Sequence, residues 1–214
     1  MSRIAKVLIP LGMVGVVFYF IHTFLGNILW TEYDPLRMDI SSLTADGAPN
    51  APLLKIFTLM YGICMVLMAA GLVLHAFNKY NRLLKVGFVI LLIMQLTPII
   101  GYGLFPLTGD KTEMNFQNMM HYMVTVIVVF TTIASSFTIA RGLSKQESTK
   151  RMGKIALFFA ITITVFGMLN PISMGLDLNL LGLTERLVIY TIQTFLFVLS
   201  FYHTFYYEKA EVVS

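Results

Sequence analysis

Charge is what this chain has least of. Asp, Glu, Lys and Arg together make up 12% of its 214 residues, about half the share of an average soluble domain. Hydrophobic residues make up 57%, more than a soluble core of this size uses, which excludes an ordinary cytosolic enzyme or binding module. The lone cysteine, Cys64, excludes an intrachain disulfide; it falls within an apolar run and reads as a small buried residue. Asn-x-Ser/Thr sequons are absent. The net charge of +4 would suit a nucleic-acid partner, but the placement of the charges excludes one.

What is present is a series of long apolar runs, at about 4–29, 53–77, 84–104, 116–141, 154–174 and 186–207. Each is near or above the roughly 20 residues that carry a helix across about 30 Å of hydrocarbon. The expected fold is all-α: one polytopic membrane domain over residues 1–214, six transmembrane helices in three outward hairpins, in the cell membrane. Charge sets the orientation. Arg3, Lys6, Lys79, Arg82, Lys85, Arg141, Lys145, Lys150, Arg151, Lys154 and Lys209 cluster at one set of ends. The alternate loops hold Glu32, Asp34, Asp39, Asp46, Asp110, Glu113, Asp177 and Glu185. By the positive-inside rule both termini are cytoplasmic. The basic start followed by an apolar run has no small-x-small cleavage site before Trp30 and reads as a retained first helix.

The first outward loop, residues 31–52, is the longest connection and contains Pro35, Gly47, Pro49 and Pro52. Its alternating Asp39-Ile40-Ser41-Ser42-Leu43 predicts packing over the bundle as a lid. The cytoplasmic loop 142–152 is polar and basic, suited to anionic lipid heads. Phe105-Pro106-Leu107-Thr108-Gly109-Asp110 faintly echoes Asn170-Pro171-Ile172-Ser173-Met174-Gly175-Leu176-Asp177, too briefly to establish a repeat.

Ionisable and amide side chains inside a membrane mark candidate sites. At about 1.5 Å per residue, His22 lies about 12 Å below Trp30, His121 about 8 Å below Phe116, and Gln193 about 10 Å below Arg186. Gln95, Thr97, Tyr102 and Asn170 fall in the same outer half. Tyr19, His22, Thr23, Gly26 and Asn27 share one helical face, as do Asn118, His121, Tyr122 and Thr125. The expected site is an outward polar pocket lined by His22, Gln95, His121, Asn170 and Gln193, with Ser41 in the covering loop and Arg186 positioned for a phosphate or carboxylate head group. The bland reading, satisfied polar groups that pack helices together, stands beside it. The expected partners are membrane lipids and a lipid-like small molecule. No metal, cofactor or nucleic acid is expected, and the oligomeric state is left open.

The same residues admit other chemistries. A lipid hydrolase or transferase would use Asp110 and His121, with Ser41 or Ser42 as nucleophile, although the serines lack a glycine elbow. A dihaem protein would pair His22 with His121 and His75 with His203. A zinc site on His22, His121 and Asp110 or Asp39 lacks a short-spaced ligand pair. Gly109-Asp110-Lys111-Thr112 resembles the phosphorylated motif of cation pumps, without a nucleotide domain to serve it.

Three segments together resemble the DUF998 family of six-helix membrane proteins, related to Frag1/DRAM/Sfk1-like proteins. They are Asp39-Ile40-Ser41-Ser42-Leu43 with Gly47-Ala48-Pro49, then Phe105-Pro106 with Asp110 and His121, and Gly182 with Glu185-Arg186. Asp110 follows Phe-Pro at a longer spacing than the family pattern. The resemblance covers nearly the whole chain. It implies no settled activity, although relatives are associated with lipid handling, and it places all three segments on the outward side.

Overall fold

The computed structural model describes residues 2–108 and 115–206, except for the side chains of Asn78 and Lys79. Among these residues the regular structure is helical: α1 (Arg3–Leu8), α2 (Leu11–Leu29), α3 (Ala51–Lys79), α4 (Arg82–Leu104), α5 (Phe116–Ser144), α6 (Lys150–Gly175) and α7 (Leu181–Phe205), with short 3-10 turns at Ile40–Thr44 and Glu147–Thr149. Six segments are long and apolar enough to cross a membrane, α1 and α2 forming the first of them. At most a third of each apolar window is buried inside the protein. Side chains such as Ile28, Phe130 and Phe158 point outward, as they do where the solvent is hydrocarbon.

The expected first helix is broken in two at Pro10. Proline has no N–H to continue the ladder and its ring crowds the carbonyl four residues back. The break is stabilised from across the bundle, because the Ser200 hydroxyl donates to the Ile9 carbonyl at 2.7 Å. Pro98 and Pro171, by contrast, lie inside α4 and α6 without ending them.

Successive helices are neighbours, and α7 returns to pack on α2, so the six spanning segments close into a ring. Glycines let the backbones approach, the usual device where lipid removes any hydrophobic drive between helices. A Cβ on Gly142 would lie 2.8 Å from the Leu84 backbone, and one on Gly87 would lie 3.0 Å from the Ile139 nitrogen. Met65, Met68, Leu72, Phe88, Leu91, Leu196 and Leu199 fill the middle. At one end the Asn81 side chain, between α3 and α4, donates to the Gly142 carbonyl in the last turn of α5 at 2.8 Å. At the other end loop 30–50 meets the segment after α4 and the start of α7: the Asp46 N–H donates to the Leu107 carbonyl, and the Gly182 N–H to the Arg37 carbonyl. This second end, called here the loop end, holds most of the predicted site residues.

Candidate functional site

The first loop folds locally before it docks. Asp39 precedes the 3-10 turn and accepts from both serine hydroxyls that follow, Ser41 at 2.5 Å and Ser42. Asp and Ser are the residues that most often hydrogen-bond locally at a turn. Ser41 therefore spends its hydroxyl on Asp39 in this structure. The turn points Ile40 and Leu43 into the bundle, where they pack with Tyr19, Tyr33 and Leu54. A Cβ on Gly26 would lie 2.9 Å from Leu43, so this glycine makes room for the plug.

The start of α7 clasps the loop. The N–H groups of Gly182 and Leu183 donate to the carbonyls of Arg37 and Leu36, at 3.3 and 2.9 Å, so loop backbone satisfies first-turn donors that a helix cannot satisfy itself. This explains why α7 begins at Leu181 and not near Arg186, as hydropathy predicts. A Cβ on Gly182 would come within 2.6 Å of the Pro35 carbonyl oxygen, so only glycine admits the strand of loop so close. The Glu185 carboxylate accepts the Ile40 N–H at 2.6 Å. Arg186 Nη1 donates to the carbonyls of Pro35, Met38 and Gly182, and Nη2 donates to the Tyr33 hydroxyl at 2.6 Å. The guanidinium also lies over the Tyr33 ring. Burial pushes the Tyr33 hydroxyl up to about 12, with Arg186 pulling the other way. The phenol thus stays protonated and can donate to the Asp39 carbonyl at 2.8 Å.

His121 and Asn118 form a second tie. His121 Nδ1 donates to the Phe105 carbonyl at 2.9 Å, since a carbonyl can only accept. Its ring stacks on Tyr102 at 4.5 Å, and the Tyr102 hydroxyl bonds Thr125 at 3.0 Å. Asn118, fully buried, accepts from the Thr108 N–H and donates to the Thr108 carbonyl, both at 3.0 Å. Asp110, the other catalytic candidate, lies outside the described residues.

His22 and Gln193 share a third set. The His22 ring meets Tyr19 at 5.7 Å, Tyr19 meets Tyr61 at 4.9 Å, and Gln193 Nε2 donates to the Tyr61 hydroxyl at 2.8 Å. Gln95 lies deeper. Gly62, one residue beyond Tyr61, packs on Ile99 of α4, which puts Gln95 about four residues, or about 6 Å, further in. Asn170 pairs elsewhere, its side-chain oxygen accepting from Thr184 at 2.6 Å. The predicted residues thus occupy one half of the bundle but fall into separate local sets. Tyr33, Tyr61 and Thr184, which complete these sets, carry no local sequence signal.

At the opposite end, His203 is packed among the rings of His75, Tyr80, Phe88 and Tyr202 and shares its Nδ1 with the Leu199 carbonyl. Among the described residues no group of three or more His, Cys, Asp or Glu is placed to hold a metal ion.

Arg186 also borders a lipid-facing groove of about 460 Å³ between α6 and α7. Phe158, Phe159, Thr162 and Phe166 line one wall; Leu183, Leu187, Tyr190, Thr191 and Thr194 line the other. From Leu183 to Thr194 the groove runs about 16 Å along the helix, the depth of one leaflet of hydrocarbon.

Six spanning segments closed into a ring, with a long loop clasped over one end, define a polytopic integral membrane protein. The chain belongs to the family described as protein of unknown function (DUF998), whose model matches residues 13–202. No curated protein and no solved structure matches it.

Proposed function

We propose that this protein binds a lipid-like amphiphile taken from the outer leaflet of the cell membrane, in the groove between α6 and α7, with Arg186 on the head group. The observation that carries this reading is the place of Arg186: a cation at the loop end of a largely apolar groove about one leaflet deep. Nη1 is committed to loop carbonyls and Nη2 to Tyr33. Nε and the second Nη2 hydrogen have no partner among the described residues, and that edge of the fork matches a phosphate or carboxylate. Of the polar groups in the groove wall, the hydroxyls of Thr162, Thr191 and Thr194 are each spent on a carbonyl of their own helix, which leaves Tyr190 and Arg186 beside an otherwise apolar wall that suits an acyl chain.

Native mass spectrometry of the full chain, gently solubilised and supplied with phosphatidylglycerol, tests the reading. Thr162→Trp fills the groove without touching the clasp, and its retained lipid should fall about tenfold, the equivalent of 1.4 kcal/mol. Val126→Trp, on an exposed side of α5 away from the groove, should change nothing. Equal retention by the wild type and both variants would mean that only annular lipid is carried, and would overturn the proposal.

A further inference from the structure

Beneath the plug formed by Ile40 and Leu43, two side chains are buried with polar atoms unpaired. His22 is 2% exposed, and neither ring nitrogen has a hydrogen-bond partner among the described residues. Gln193, also 2% exposed, donates through Nε2 to Tyr61, but its Oε1 has no partner among the described residues. Both belong to the belt of rings already described, in which Tyr19 joins His22 to Tyr61. His22 lies on the buried face of α2 with Tyr19, Thr23 and Gly26, so its ring is turned into the bundle and away from lipid. Buried polar atoms in proteins are paired as a rule, and a phenylalanine and a leucine would fill these positions without any unmet demand.

We propose that His22 and Gln193 line a closed hydration site under the first loop, which binds water as a structural ligand. The donor and acceptor inventory selects the occupant. A neutral imidazole presents one N–H and one acceptor nitrogen whichever tautomer it adopts, and Gln193 Oε1 is an acceptor. An anion would satisfy the imidazole N–H and be repelled by the amide oxygen; a cation would meet that N–H head-on. Water donates and accepts at once, and bound water in protein interiors bridges two to four such groups. The site is independent of the α6–α7 groove and survives if no lipid binds there.

Radiolytic hydroxyl labelling in water enriched in oxygen-18, on the full chain in nanodiscs, reads this directly, because radicals born on bound water mark the side chains that touch it. After correction for intrinsic reactivity, His22 and Tyr19, 2% and 8% exposed, should label about tenfold faster than Phe88, which is fully buried in the apolar core. A membrane-impermeant radical scavenger should leave that label intact. In Gln193→Leu the Tyr19 label should fall towards the Phe88 rate. Labelling of His22 and Tyr19 at the Phe88 rate in the wild-type protein would overturn the proposal, whether or not the variant folds. Labelling abolished by the scavenger would also overturn it, since the site would then be open to bulk solvent.

Discussion

Replacing Gly182 with alanine isolates the clasp between the first loop and α7. The added Cβ would stand 2.6 Å from the Pro35 carbonyl oxygen, and closer still to that of Met38, where ordinary contact begins at 3.4 Å. Both obstacles are backbone atoms, so the loop must withdraw by about 0.8 Å or more. That displacement stretches the Gly182–Arg37 and Leu183–Leu36 hydrogen bonds, now 3.3 and 2.9 Å, beyond the range of about 3.5 Å in which they count. Two neutral backbone bonds at about 1 kcal/mol each amount to about 2 kcal/mol of local stability, or roughly 30-fold more time with the loop open. Arg37 supplies the assay: its side chain is 64% exposed, while its carbonyl is held by Gly182. Trypsin cleavage after Arg37, followed by mass spectrometry in detergent, should accelerate by roughly 30-fold in Gly182→Ala if opening is fast relative to cleavage. Gly103→Ala, which meets nothing within 4 Å, should cleave as the wild type does. A rate for Gly182→Ala within about twofold of wild type would refute the claim that this glycine holds the loop down.

Gly142→Ala, whose Cβ would lie 2.8 Å from Leu84 N and Cα, should lower unfolding stability by about 1 to 3 kcal/mol through overpacking of α4 on α5. Gly103→Ala, in open space, should instead be neutral or stabilising by about 0.5 to 1 kcal/mol; equal effects in a denaturant titration would remove the argument from close backbone approach. The expected orientation is checked by single cysteines in a Cys64→Ala background: Asp46→Cys should react with an impermeant thiol reagent outside intact cells, and Lys150→Cys should not. Reaction at position 150 without permeabilisation would put the loop end inside and remove the outer leaflet from the proposed function.

The spans were legible because hydropathy alone decides which helices can cross a bilayer. Their ends were less so, for particular reasons. α7 starts five residues earlier than its apolar run because the donors of Gly182 and Leu183 find acceptors in the first loop, and no local signal announces a tertiary cap. The Pro10 break was readable in principle, yet an apolar run continues through it and masks it. In the site, counting residues placed His22 and Gln193 near one level, where the Tyr19–Tyr61 contact now joins them. Counting could not say which face of α4 turns towards them, and Gln95 falls about 6 Å deeper. The partners of Arg186 were beyond reach, because carbonyl oxygens at Pro35 and Met38 look the same from sequence as any others.

The segments gathered at the loop end therefore have a mechanical meaning that their residue types do not advertise. Asp39 shapes the turn, Ile40 offers its N–H to Glu185, and Gly182 clears the way for the loop that Arg186 holds. Arg186 links this machinery to the α6–α7 groove. Its guanidinium is planar and rigid, so one edge cannot be drawn towards a head group in the groove without moving the Nη1 edge that grips Pro35 and Met38. If an amphiphile binds there, occupancy and loop closure are linked, and the linkage must act equally in both directions. Trypsin cleavage after Arg37, measured with and without phosphatidylglycerol, reads that linkage without any mutation. A lipid that bound tightly and left the cleavage rate unchanged would show that the groove and the clasp share Arg186 without exchanging free energy.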